Sequence, residues 1–128
     1  MKQKYITYLV FLGLFSTMII TSLYNHVFNY DFMVQEYAKL GYPEHLIKPL
    51  AVLQFFGLLI ILTNKGKWLV EWAYGAFFLN MAFAIIAHYV AKEGNGAAAV
   101  ICLLLLWTTY SLHKSRKEAE VKEKLQLA

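Results

Sequence analysis

Four apolar stretches, interrupted only by Lys48 and Glu71 near the starts of the second and third, alternate with short charged or turn-forming ones: Tyr5 to Tyr30, about Leu46 to Thr63, about Trp68 to Ala91, and about Asn95 to His113. Each comes close to the ~20 residues that an α-helix needs to cross ~30 Å of hydrocarbon at 1.5 Å per residue. The pattern therefore predicts an all-α, integral membrane four-helix bundle with spans at about 5–28, 46–63, 68–91 and 95–113. Residues 1–113 would form the transmembrane domain and residues 114–128 a charged cytoplasmic tail. That tail alternates in charge from Lys114 to Lys124, as a solvated helical extension does.

Lys2 and Lys4 ahead of an apolar run imitate a signal peptide. The run is longer than a ~7–15-residue signal core, lacks a small-x-small cleavage site and precedes three more apolar segments, so it reads as a first span. Between spans one and two lies the longest connection. There Phe32, Val34, Tyr37 and Leu40 predict a short amphipathic helix along the interface, with Asp31 as its cap and Gly41 and Pro43 ending it. Pro49 near the start of span two sits in a first helical turn or makes a kink there, and Gly94-Asn95-Gly96 makes a turn before span four.

Composition sharpens this picture. Of 128 residues, 59% are hydrophobic and 16% charged, and the mean hydropathy is +0.48, more apolar surface than a soluble domain of this length can hide. The single Cys102 excludes an intramolecular dithiol couple. The net charge of +4 is not a nucleic-acid footprint, because the basic residues sit between long uncharged stretches. It is topological: nine Lys and Arg fall on the side of both termini and three on the other, which puts both termini in the cytoplasm.

Small and hydroxyl residues mark the faces expected to pack in lipid. These are Gly13, Thr17, Thr21 and Tyr24 in span one; Ala51, Gln54 and Gly57 in span two; Ala76, Asn80, Ala84 and Ala87 in span three; and Ala98, Cys102 and Thr109 in span four. Gln54 and Asn80 lie near mid-span, where an amide finds no water. They are expected to face inward, bonding each other or Thr17, as packing contacts or as the head site of a small ligand. His26, His45 and His88 gather at the outer boundary near Asp31, Glu36, Glu44 and Glu93. They could relay protons or bond a quinone carbonyl, but no His-x-x-x-His spacing argues for a metal, and none is expected. Tyr5, Tyr8, Tyr30, Trp68, Trp72, Tyr89, Trp107 and Tyr110 read as belt anchors, while Tyr24 and Tyr74 can turn inward beside polar neighbours to stack on a flat ligand. Glu71, the one acid inside a span, can pair with Lys67 one turn earlier.

Leu40 to Pro43, Ala51 to Gly57, Lys67 to Tyr74, and Ala87-His88-Tyr89 before a glycine turn resemble the DoxX-like family of small four-helix membrane proteins. The resemblance implies a four-span bundle with both ends inside. It also implies association with thiosulfate oxidation coupled to quinone, with membrane redox complexes or, in an animal branch, with chaperoning of channel assembly. Members commonly carry an acid where this chain has Gln54 and Asn80. Two readings follow: an accessory subunit of a membrane redox system, without catalysis of its own, holding a quinone or lipid-like ligand through Tyr24, Gln54, Tyr74, Asn80 and His88; or an assembly factor acting through helix faces on itself or another membrane protein. A bacterial plasma membrane is the expected location.

Overall fold

A computed structural model describes residues 2–92, 94 and 96–128, so Glu93, named above among the outer acids, and Asn95, the expected start of span four, lie outside the described residues. Among the described residues there is no strand. Five α-helices follow one another: α1 (Lys2–Phe28), α2 (Tyr30–Lys39), α3 (Ile47–Thr63), α4 (Lys67–Ala91) and α5 (Ala97–Leu127), with a single 3-10 turn, Glu44–Leu46, leading into α3. Helices α1, α4 and α5, and α3 taken with the 3-10 turn before it, are long and apolar enough to cross a membrane.

The four long helices form a ring in which α1 packs on α3 and α5, and α4 on α3 and α5. Its outer surface carries exposed Ile6, Leu14, Ile20, Leu53, Phe55, Leu79, Phe83 and Leu104, side chains that only a bilayer covers. This is an integral membrane protein. Inside, Phe15 meets Phe77 edge to face with centroids 5.2 Å apart. Helix α3 fits against this pair because Gly57 has no side chain: a Cβ there would stand 2.8 Å from Cε2 of Phe77, whose ring is held from the other side by fully buried Phe15.

Short caps end the elements. Asn64 closes α3 in the left-handed region (φ 52°) with its N–H on the Ile60 carbonyl, and Gly41 (φ +81°) turns the chain after α2, where an L side chain would be strained. Pro49 lies in the first turn of α3, as expected. The cap of α2 is Asn29, whose side chain donates to Asn25 Oδ1 (2.9 Å) and makes no capping bond, while Asp31 sits inside the first turn; there its charge still faces the positive end of the helix dipole. Helix α5 continues through His113 without interruption, so the charged segment from Lys114 extends the last span as one helix of about 46 Å.

One expected face is rotated. In α1 the buried residues are Tyr8, Leu12, Phe15, Ser16, Ile19 and His26, while Gly13, Thr17, Thr21 and Tyr24 are exposed. Thr17 and Thr21 each donate to the carbonyl four residues back (both 2.8 Å), so neither hydroxyl needs the interior, and bulky Phe15 and Ile19 take it instead. The face of α4 turns in part: Ala73, Tyr74, Phe77 and Met81 are buried, Ala76 is exposed and Asn80 and Ala84 are half-buried, while Ala87 is buried as expected.

Candidate functional site

The two ends of the bundle differ in how their polar groups are satisfied. At the end capped by α2, Ser22 donates to Gln54 Oε1 (3.2 Å), and its backbone carbonyl accepts from His26 Nδ1 (2.7 Å). His26 Nε2 in turn accepts from the Tyr37 hydroxyl on α2 (3.1 Å). The neutral imidazole protonated at Nδ1 serves both partners. Gln54 thus turns inward as expected but bonds Ser22 rather than Asn80 or Thr17. Tyr42 reaches the Phe83 carbonyl (3.4 Å), and Tyr30 donates to Glu44 (3.0 Å), so α2 and its flanks are tied to α1, α3 and α4. Burial, followed by the neighbouring Tyr42 phenol, pushes the Tyr37 hydroxyl above its ordinary value and keeps it a donor.

The three histidines expected at the outer boundary have separate surroundings. His26 is buried in the chain just described, His45 is exposed on the 3-10 turn, and His88 packs against Gly94 and Gly96 after α4. Among the described residues no three His, Cys, Asp or Glu side chains gather to hold a metal ion. Tyr24 faces outward, 56% exposed, against Phe28 (centroids 5.0 Å), a correction to its expected inward turn that follows from the rotation of α1.

At the opposite end, where α1 and α4 begin and α5 leaves the bundle, aromatic and titratable groups are packed together. His113 is 2% exposed, its ring 5.6 Å from that of Tyr74 and 6.1 Å from that of Tyr8. Tyr74 in turn lies 5.2 Å from Tyr110. Above them the Arg116 guanidinium covers Tyr5 and Tyr8 at 4.4 and 4.8 Å. Tyr110 donates to Glu71 (2.8 Å), so Glu71 takes a tyrosine instead of the expected Lys67.

This end contains unmet hydrogen-bonding capacity. The hydroxyl of Tyr74 and Nε2 of His113 are buried with no partner, and so is the Ser16 hydroxyl deeper in the bundle. The Tyr8 hydroxyl approaches that of Tyr74 without reaching hydrogen-bonding geometry. Such groups are rare inside proteins and destabilise the fold unless something meets them. Beside Tyr74 a cleft of about 270 Å³ opens between α4 and α5, lined by Glu71, Tyr74, Gly75, Phe78, Leu106, Trp107 and Tyr110. A side chain at Gly75 would meet nothing within 4 Å, so the glycine leaves the mouth open.

The sequence model of the DoxX-like family matches residues 10–109. The chain belongs to the DoxX-like family. The match spans all four long helices, and it ends before His113 and Arg116, so part of the aromatic cluster lies beyond the segment that the family model describes. No curated protein and no solved structure matches this DoxX-like chain.

Of the residues picked for ligand binding, Tyr74 lines the cleft, whereas Gln54 is engaged by Ser22, Asn80 is half-buried on α4, His88 packs on the α4–α5 turn and Tyr24 is outside. Tyr8, Tyr110 and His113 are the members that position along the spans did not reveal, because a belt tyrosine and a buried one occupy the same depth. The signal was helical spacing: Tyr8 stands four residues before Leu12 and seven before Phe15, on the apolar face that fills the bundle.

Proposed function

We propose that this protein holds an amphipathic, quinone-like molecule in the cleft between α4 and α5 and serves as an accessory subunit of a membrane redox system, with both termini in the cytoplasm of a bacterial cell. The observation that carries this reading is the cleft itself, in which Tyr74, its hydroxyl buried and unpartnered, lines a mostly aromatic and aliphatic wall beside the Glu71–Tyr110 pair.

A quinone fits the residues present. The Tyr74 hydroxyl donates to a carbonyl oxygen, Phe78, Trp107 and Tyr110 offer aromatic surface to a flat ring, and the gap at Gly75 admits the molecule from the bilayer. When bound, a quinone supplies two-electron, two-proton carrier chemistry. The chain contributes binding and proton handling: Tyr110 holds its proton against the Glu71 carboxylate at the cleft wall, and His113 presents a second unmet nitrogen behind Tyr74. The electrons come from a partner, since Cys102 is alone.

The test is binding of a short-chain quinone analogue to purified protein, read by quenching of tryptophan fluorescence. Tyr74→Phe should weaken binding about tenfold, the scale of one buried hydrogen bond, and Gly75→Leu should abolish it by filling the mouth. Unchanged binding in both variants would refute the reading.

A second reading, an assembly factor acting through helix contacts, draws on the outward stripe of Gly13, Thr17 and Thr21, whose small and self-satisfied side chains permit close approach of another helix. Gly13→Leu would then abolish co-purification of a membrane partner and leave quinone binding intact.

A further inference from the structure

Helix α4 carries an amide at a depth where the membrane offers it no partner. Asn80 stands one residue past the midpoint of α4, in the part of the span that neither water nor lipid headgroups reach. Elsewhere in the spans Thr17, Thr21, Thr108 and Thr109 close on the carbonyl four residues back, and Gln54 accepts a bond from Ser22. Asn80 bonds neither its own helix nor any other described residue. It is half-buried, and its amide atoms are not among the enclosed orphans Ser16, Tyr74 and His113, so they reach the outer surface of the bundle.

That surface admits another helix. Ala76, one turn before Asn80, is exposed, and Ala84, one turn after, is half-buried, so no bulky side chain stands over the amide along that line. Exposed Trp72, Leu79 and Phe83 border it with apolar surface. The cleft residue Phe78 lies about 200° around the helix from Asn80, so this flank is turned away from the cleft. A primary amide is donor and acceptor at once, and two of them at equal depth satisfy each other through two reciprocal N–H···O bonds. Copies of one chain enter the membrane in one orientation. A two-fold axis along the membrane normal then sets each residue beside its own equivalent at its own depth. A foreign helix needs a matching polar group at that level; a second copy has one by construction.

We infer that this chain pairs with a second copy of itself through α4, Asn80 and the partner subunit's Asn80 being joined by reciprocal amide hydrogen bonds. Ala76 lets the two helices approach, and Leu79 and Phe83 pack around the pair. The α4/α5 cleft of each copy faces away from the axis and stays open, so the inference is independent of what that cleft holds.

The experiment is resonance energy transfer between full-length copies carrying donor or acceptor dyes at the C-terminus, reconstituted in liposomes and diluted stepwise with lipid. Asn80→Leu should raise the protein-to-lipid ratio at half-association about tenfold, the scale of two hydrogen bonds between membrane helices. Asn80→Gln, which keeps donor and acceptor, should restore most of the association. Leucine suits a lipid-facing position, and unchanged helical circular dichroism confirms the fold. A face-specific readout needs no change at Asn80: under mild oxidation in the membrane, Ala76→Cys should form a disulfide-linked dimer and Leu104→Cys, exposed on α5, should not, while buried Cys102 stays out of the reaction. No energy transfer beyond random proximity, transfer unmoved by Asn80→Leu, or cross-linking at Leu104→Cys as strong as at Ala76→Cys would overturn the inference.

Discussion

The α2 end and the termini end of this bundle contain similar residues, histidine beside tyrosine in each, and treat them oppositely. His26 has a partner on each ring nitrogen, and through Ser22 and Tyr37 it joins α1, α2 and α3. His113 is as deeply buried, has aromatic rings on two sides, and leaves Nε2 unmet next to an unmet tyrosine hydroxyl. A satisfied buried network closes and fixes a structure. An unsatisfied one costs stability in the empty protein and returns it when a ligand completes the bonds. The difference separates an end whose polar groups close on one another from an end that keeps unmet hydrogen-bonding capacity.

Both ends hang on the same middle layer, so the largest effect is expected there. Gly57→Leu, which drives a side chain into Phe77, should cost about 3 kcal/mol in unfolding followed in mixed micelles, and hydrogen exchange should rise at both ends together. If one end alone loosened, the ends would not share a core. Next comes His26→Leu, expected to cost about 2 kcal/mol by leaving the Tyr37 hydroxyl without its partner and cutting the tie between α1 and α2. Amide exchange should quicken in α2 and leave the start of α4 unchanged.

Tyr74→Phe has the opposite sign. Removing an orphaned hydroxyl should stabilise the ligand-free protein by roughly 1 kcal/mol while weakening ligand, whereas Tyr37→Phe should destabilise by about 0.6 kcal/mol, the average for a hydrogen bond between membrane helices. Thermal unfolding in detergent compares the two; equal signs would erase the distinction between the ends. The smallest effect is alkaline. Because the phenol of Tyr37 is raised in the folded protein, its contribution is complete below its unfolded value of about 10 and is lost as pH rises through the raised one. Limited proteolysis should therefore cut near α2 at high pH before the bundle opens.

The helices were legible in the sequence because length and hydropathy dictate them, and so was the inward turn of Gln54, since an amide deep in a span cannot be satisfied by its own helix. The interfacial helix was legible too, as a period of apolar residues between a polar start and Gly41. The face of α1 was not. Threonine looks like an interior residue in a membrane helix, yet Thr17 and Thr21 close on their own backbone and free the interior for larger side chains. The aromatic cluster was hidden for another reason. Tyr8, Tyr74 and His113 lie far apart in the chain, and what unites them is the packing of α5 against both α1 and α4, a tertiary fact with no local signature.

Helix α5 walls the cleft on one side and continues beyond the bundle to Leu127 with neither glycine nor proline anywhere along it. It is therefore a rod without a hinge, clasped near its midpoint where Tyr5 and Tyr8 grip Arg116. A lever of that kind converts a push in water into a tilt within the bilayer. A force on the charged arm is carried without a break to the helix that walls the cleft.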